Sequence, residues 1–392
     1  MSDSSPDDPR PLGPAIIVLS AARLVVNTLE RFVYPFLPTI ARGLGIPLEQ
    51  AGLLLSLRSG AAIGVPGMVR VLGARGRQRR QMTVALVALA LGAFVIVGPW
   101  GVRGAALGFA VVGMAKLTYD NGAQTYLSQR TSYAQRARVL GWLELTFAGG
   151  LLIGTPIVGL LIGWFGWRAG FIAVGVGSLA MVGVVRRVTE PGHPEGADEP
   201  ERLQLNPAAL SLLGVVGLYM LGTEVSFVSI GAWMEDDLGV GLAGLGGLAI
   251  LLGLAEALGE GVVIARADAL GKRSATLLGL GIGVVGFGLL ATVGTTIVTG
   301  IGALALALFG FEIAIVATIP LASELLPRAR GAFLAWLGVA IMAGRSVGAI
   351  LGPWLYVRHG MDAVAGTSAV TYLVAMGLLA LLLTDDRGHT IA

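Results

Sequence analysis

Residues 186–206 read RRVTEPGHPEGADEPERLQLN, the one long polar stretch in the interior of the chain. It is acidic in its middle and rich in proline, the composition of a linker rather than of a packed element. Outward from it in both directions the chain turns apolar. Runs broken by charges, Gly or Pro fall at 14–41, 48–72, 82–100, 102–127, 138–163 and 168–185 on one side. On the other they fall at 207–231, 240–265, 274–293, 296–324, 331–357 and 364–384. Each is close to the roughly 20 residues that a helix needs to cross a hydrocarbon core. They are continuous rather than alternating, so helices are predicted and not barrel strands. The expectation is an all-α membrane protein of twelve transmembrane helices. An N-terminal six-helix bundle covers 14–185, a cytoplasmic linker 186–206, and a C-terminal six-helix bundle 207–384. Residues 1–13, acidic and without a basic n-region, read as a disordered tail rather than a signal peptide, and 385–392 as a C-terminal tail.

Composition excludes the other classes. Of 392 residues, 55% are hydrophobic and 13% charged, about half the charged fraction of a soluble domain. Cysteine is absent, which removes disulfides, thiolate metal sites and thiol nucleophiles. His193, His359 and His389 fall in loops or the tail, and no H-E-x-x-H helix is present. The phrase LGKRS (270–274) has no glycine five residues before Gly271, and Arg273 stands where a phosphate loop has Ser or Thr. The expectations are no enzyme activity, no cofactor, no metal and no nucleic-acid partner. The net charge of +3 belongs to topology instead. With both termini in the cytoplasm, the inner loops hold fifteen Lys and Arg, from Arg75 to Arg330, against four (Arg42, Arg103, Arg168, Arg358) in the outer loops. The positive-inside rule therefore places both ends inside a cell membrane, and an even number of spans is required.

The two halves echo each other. GARGRQRR (73–80) follows the second run and ADALGKR (267–273) the eighth; SQRTSYAQRARVLGW (128–142) follows the fourth and SELLPRARGAFLAW (323–336) the tenth. Matching inner loops in two six-helix halves imply a pseudo-two-fold axis along the membrane normal. On these phrases, and on FGWRAGF (165–171), the whole chain resembles the major facilitator superfamily of secondary transporters. In that family the loop reads roughly G-x-x-x-D-R-x-G-R-R. Asp268, Gly271, Lys272 and Arg273 match it in the second half, and Gly76 and Arg77 in the first, where Gly73 replaces the aspartate. The resemblance implies a cytoplasmic gate of Arg77, Asp268 and Arg273, which Glu144 and Glu324 at the span ends would join. GGLLIGTPIVG (149–159) and YPFLPTIARGLG (34–45) are similar to phrases of the drug/proton antiporter branch, with Thr155 between Gly154 and Pro156. The same glycines also suit close helix contact in lipid.

Ionisable residues inside the spans carry the functional reading, because a charge at the bilayer centre costs at least about 2.5–3.5 kcal/mol. Each needs a partner, a wet cavity or a task. Arg23, Asn27, Glu30 and Tyr34 recur at i, i+4, i+7 and i+11 on one face of the first span. Lys116 and Asp120 are i, i+4 neighbours on the fourth, beside Tyr119. The resemblance places Glu30, Lys116, Asp120, Glu224 and Glu312 on cavity-lining spans. A carboxyl moving between dry and cation-rich surroundings can load and release a proton. Glu30 with Arg31 or Arg23, Asp120 with Lys116, and Glu312 are the proton-coupling candidates; permanent ion pairing is the competing reading. Substrate-binding candidates are Asn27, Arg31, Tyr34, Arg58, Lys116, Tyr119, Glu224 and Arg345. Arg58 and Arg345 either clamp an anion bidentately or neutralise an acid such as Glu256 or Glu312. Glu256 and Glu260, on one stripe, are expected to share a proton or an arginine. Trp100, Trp164, Trp167, Trp233 and Trp354 read as interfacial anchors. The expected activity is proton-coupled export of a small, amphipathic, drug-like organic solute by alternating access. The protein is expected to act as a monomer among membrane lipids. The alternative is a symporter or facilitator of an organic anion bound by intramembrane Arg or Lys.

Overall fold

The structure, a computed structural model, describes residues 12–67, 78–190, 205–326 and 329–382. Arg77, most of the 186–206 linker and nearly all of both tails lie outside these residues, as does the side chain of Asp268. Among the described residues the chain is all helix without strands. In order the helices are α1 (Leu12–Phe32), α2 (Leu37–Leu44), α3 (Leu48–Ala62), α4 (Gln78–Val97), α5 (Gly101–Arg130), α6 (Tyr133–Glu144), α7 (Thr155–Phe165) and α8 (Arg168–Val188). After the linker come α9 (Pro207–Ala232), α10 (Leu242–Leu270), α11 (Lys272–Val293), α12 (Ile297–Leu325) and α13 (Arg330–Leu382).

Proline and glycine set the breaks. Pro35 and Pro38 cannot donate backbone hydrogen bonds, and the turn between α1 and α2 carries Tyr34 at its tip. Between α6 and α7 a short helix (Thr146–Gly149) runs into a π turn (Gly150–Gly154). Pro156 lacks the N–H that would bond the Leu152 carbonyl, and Thr155 Oγ1 donates to Gly150 O at 2.9 Å, so the ladder is re-spaced. The long α13 is two helices broken at Gly360, whose φ of 74° and ψ of −175° suit glycine alone.

Among the described residues, nine helical segments are long and apolar enough to cross a membrane. α3 falls short at 15 residues, and α5 carries Lys116 and Asp120 at mid-length. The last of the nine, Arg330–Leu381, spans 52 residues and contains the Gly360 break.

Within the first half α5 packs on α4 and α3, and α8 on α1 and α4. Within the second, α9 packs on α13, α11 on α12 and α13, and α10 on α12. Across the halves α3 meets α13, α10 meets α7 and the π turn, and α2 meets α9. Lipid tails are as apolar as leucine, so close backbone approach rather than hydrophobic expulsion drives these contacts. Gly154 lies so near Thr28 of α1 that a side chain there would overlap it, and Gly348 and Gly352 likewise seat α13 on the α9 backbone. These glycines mark contact surfaces, whereas a side chain at Gly338 of α13 would meet nothing within 4 Å. Trp100, Trp164 and Trp354 are exposed as anchors should be, but Trp233 is 2% exposed and packs on Gly300, so it is a core residue.

Candidate functional site

The polar face of α1 points into the bundle and organises a string of buried charges. Arg23 donates through Nε to Asp120 Oδ1 (2.9 Å), through Nη1 to the Leu143 carbonyl (2.6 Å) and through Nη2 to Glu144 Oε2 (3.0 Å). Gln124 Nε2 donates to the other Glu144 oxygen at 2.9 Å. Asn27 Nδ2 donates to Thr146 Oγ1 at 3.2 Å. Lys116 bridges Asp120 (2.7 Å) and Glu30 (3.2 Å). The other Glu30 oxygen lies 2.5 Å from Arg345 Nη1. Arg345 Nε continues to Glu224 Oε2 at 3.0 Å.

Tyr34 closes the string. Its hydroxyl accepts from Arg58 and from Arg345, both at 2.6 Å, and donates to Glu224 Oε1 at 2.8 Å. Arg58 also donates to the Glu30 carbonyl at 3.1 Å. Charges this deep persist only when partners replace the lost hydration, and here carboxylates alternate with Arg and Lys cations through α9, α13, α1, α5 and α6.

Beside the string lies a central cavity of about 220 Å³ walled by both halves. Arg23, Arg31, Lys116, Glu144 and Phe147 come from the first half; Met220, Glu224, Phe227, Glu260, Phe311, Glu312 and Arg345 are among those from the second. Arg31 pairs with Glu256 of α10 and lies 4.5 Å and 4.9 Å from the ring centroids of Phe147 and Phe227, a cation–π arrangement. Gly259 lets α10 approach α12 at Glu312. One oxygen each of Glu256, Glu260 and Glu312 has no hydrogen-bond partner.

Bonds between the halves run from this level to one end of the bundle. Ser56 and Ser346 hydroxyls meet at 2.9 Å, Arg42 pairs with Glu235 at 2.7 Å, and Arg358 reaches Glu49 at 3.5 Å. The cavity extends the other way, past Glu260, Ile319 and Ile341. It is a chamber between two half-bundles, closed toward the α2 end.

The sequence pattern of the Major Facilitator Superfamily matches residues 19–215 and, a second time, residues 212–391. The chain belongs to the major facilitator superfamily. The relatives and solved structures that it resembles are described as transporters. Two Bacillus subtilis (strain 168) proteins described as uncharacterized MFS-type transporters, YbcL and YtbD, are each 24% identical over 260 and 271 residues, 62% and 66% of this chain. The matches span 64% and 65% of those relatives, less than two thirds of their length. Among solved structures, the human organic anion transporter MFSD10 (TETRAN) superposes with a TM-score of 0.69 at 15% identity, covering 94% of this chain and 99% of that one. A bacterial homologue of the human lysosomal transporter Spinster, inward-facing and occupied, superposes with a TM-score of 0.72 at 14% identity, covering 95% and 96%. These likenesses establish the fold.

The facilitator fold redistributes the pairs expected from sequence. Glu30 is bonded to Lys116 and Arg345, not to Arg31 or Arg23, because Arg31 projects toward α10 and Arg23 toward α5 and α6. Arg345 neutralises Glu30 and Glu224 rather than Glu256 or Glu312. Asp120 and Lys116 are paired, with Arg23 as a third member. Glu256 has an arginine across the interface. Tyr119 turns from the cavity and donates to the Leu19 carbonyl at 2.9 Å. Arg58 and Tyr34 stand behind the wall rather than in it.

The gate residues separate. Among the described residues Glu144 joins Arg23 within the bundle, whereas Glu324 pairs with Lys272 and Arg273 donates to the Ala380 carbonyl at 2.9 Å. Phe147, Phe227 and Phe311 are wall residues that the sequence reading passed over. Phe227 and Phe311 lie within three residues of Glu224 and Glu312, a proximity that could have singled them out.

Proposed function

We propose that this transporter is a proton-coupled secondary carrier of a small amphipathic organic solute, working by alternating access of the central cavity. The observation that carries this reading is the cavity wall: both halves contribute, one end is closed by bonds between them, and Glu260 and Glu312 line the space with no cation bonded to either among the described residues. An uncompensated carboxylate in a dry wall gains stability by taking up a proton or a cation. A carrier needs such a group, exposed to one side and then the other. Twelve membrane crossings complete the proposal, with α3 and α5 counted as spans and α13 counted twice. Both termini face the cytoplasm of the cell membrane, and the protein works as a monomer that exports its solute.

The organic-anion alternative draws on one feature, the Arg31 guanidinium, which is in the wall and whose Nε has no hydrogen-bond partner. MFSD10 is itself described as an organic anion transporter.

Thermal-shift screening of the purified protein against organic solutes at two pH values supplies candidate substrates. Proteoliposomes loaded with a hit and a pH dye then test coupling. An exporter exchanging solute for protons acidifies the lumen as solute leaves. Solute efflux with an unchanged or rising lumen pH overturns proton antiport. Orientation is read by single cysteines at Ser132 and Thr296, both exposed. An impermeant maleimide added to intact cells is expected to label Thr296→Cys and not Ser132→Cys; the reverse pattern overturns the proposed topology.

A further inference from the structure

Charge bookkeeping of the cavity points to the sign of its cargo. Among the described residues, five cations (Arg23, Arg31, Arg58, Lys116, Arg345) meet seven carboxylates in the string and the wall: Glu30, Asp120, Glu144, Glu224, Glu256, Glu260 and Glu312. Every one of the five is within 4 Å of a carboxylate. The excess is two negative groups, and Glu260 and Glu312 are the two with no cation bonded to them. They are 3% and 2% exposed, and each keeps one oxygen without a hydrogen-bond partner. An anion entering this space would have to pull Arg31, Lys116 or Arg345 away from a carboxylate already in place. A monovalent cation would offset one of the two.

We propose that the cavity binds a monovalent aromatic organic cation, its charge between Glu260 and Glu312 and its ring against Phe311 and the Phe147–Phe227 side of the wall. Phe147 and Phe227 already turn their faces to positive charge at Arg31, and a desolvated cation gains further from such faces. This rests on the carrier reading above and names its substrate class. The string of Glu30, Lys116, Asp120 and Arg345 is then scaffold, and the exchangeable charge lies in the second half on α10 and α12. When the cation leaves, the freed carboxylates take protons, so cation and proton compete for one site. Among the described residues, the titratable groups that interact electrostatically with Glu312 include Glu256 and Glu260 of α10, Arg31 of α1, Glu144 of α6, Tyr219 of α9 and Tyr372 of α13. Glu260 faces Glu144, Glu256 and Arg23.

The probe is 1-methyl-4-phenylpyridinium, whose charge does not titrate, with 4-phenylbenzoate as an anion of matched shape. Binding to the purified full-length protein is measured by calorimetry at pH 8 and pH 5.5. The cation is expected to bind at pH 8 and on the order of tenfold more weakly at pH 5.5, as protons compete. Glu260→Gln and Glu312→Gln should each weaken it on the order of tenfold at pH 8, the loss expected for one charged partner. They should also flatten the pH dependence. Glu312→Asp, which keeps the charge, retains binding and guards against misreading a misfolded variant. Asp236→Asn, exposed at the opposite end, changes nothing. Absence of cation binding to the wild type, unchanged binding in the Glu260→Gln/Glu312→Gln double variant, or preference for the benzoate overturns the assignment. Proton-coupled flux of a screened solute without cation binding sinks only the cation class. Cation binding with solute efflux but no lumen acidification sinks only the proton-antiport reading.

Discussion

Arg345 Nη1 lies 2.5 Å from Glu30 Oε1, and the two belong to different halves of the molecule. The same guanidinium reaches Glu224 through Nε and Tyr34 through Nη2. One side chain thus ties α13 to α1 and α9, at the level where the two halves would part or pivot in the proposed cycle. Its planar fork reaches the three partners from three separate nitrogens, whereas a lysine would offer all its donors from one.

Arg345→Lys is expected to keep the fold but lower the unfolding temperature in detergent and reduce flux on the order of tenfold or more. Arg345→Ala leaves Glu30 and Glu224 short of a counter-charge and should cost about 3–5 kcal/mol, the range for breaking a buried pair. Adding Glu30→Gln to Arg345→Ala should recover part of that loss. A double variant as unstable as the sum of the singles would show that the pair is uncoupled.

Tyr34→Phe removes one hydroxyl that accepts from two guanidiniums and donates to a carboxylate. Hydrogen bonds to charged groups contribute about 1.5–3 kcal/mol each, so a large drop in thermal stability is expected. An unfolding temperature equal to the wild type would mean that water replaces the hydroxyl.

The absence of native cysteine allows a clean cross-linking test. Ser56 and Ser346 hydroxyls lie 2.9 Å apart across the halves. Ser56→Cys with Ser346→Cys should form a disulfide under mild oxidation, halt transport, and recover on reduction. Full transport by the oxidised protein would show that this end does not open during the cycle.

Gly154 packs on Thr28, whereas Gly338 meets nothing within 4 Å. Gly154→Val should abolish monodisperse protein on size exclusion, since α1 and the π turn cannot separate without disturbing the charged string. Gly338→Ala should be neutral or slightly stabilising. Equal behaviour of the two would remove close packing as the reason for the GGLLIGTPIVG glycines.

The placement of the charged face on α1 was legible before any coordinates. Arg23, Asn27, Glu30 and Tyr34 recur with helical spacing, and all four do turn to bonded partners inside the bundle. Lys116 and Asp120 were also legible as a pair, because i, i+4 contact is fixed by the helix itself. Partners on other helices were not. Arg31 follows Glu30 in sequence, yet about 100° of helical rotation sends it to Glu256 of α10 while Glu30 goes to Lys116 and Arg345. Glu144, near its span end, was legible as a helix-end acid but not as the far terminus of the Arg23 network. Trp233 shows the same limit: an aromatic at a span end reads as an anchor, but the small surface of Gly300 beside it makes a socket.

By itself the sequence determined that this chain is helical and membrane-embedded, with one polar stretch between two sets of apolar runs. Those properties follow from what lipid demands of each segment, and the demand is met locally along the chain. The choice of partner for each buried charge, and so the identity of the two carboxylates left over, was decided only by the tertiary structure. An arginine side chain can reach acids on several neighbouring helices, and which one it meets depends on helix rotation and approach, which close glycine contacts between helices distant in sequence help to fix.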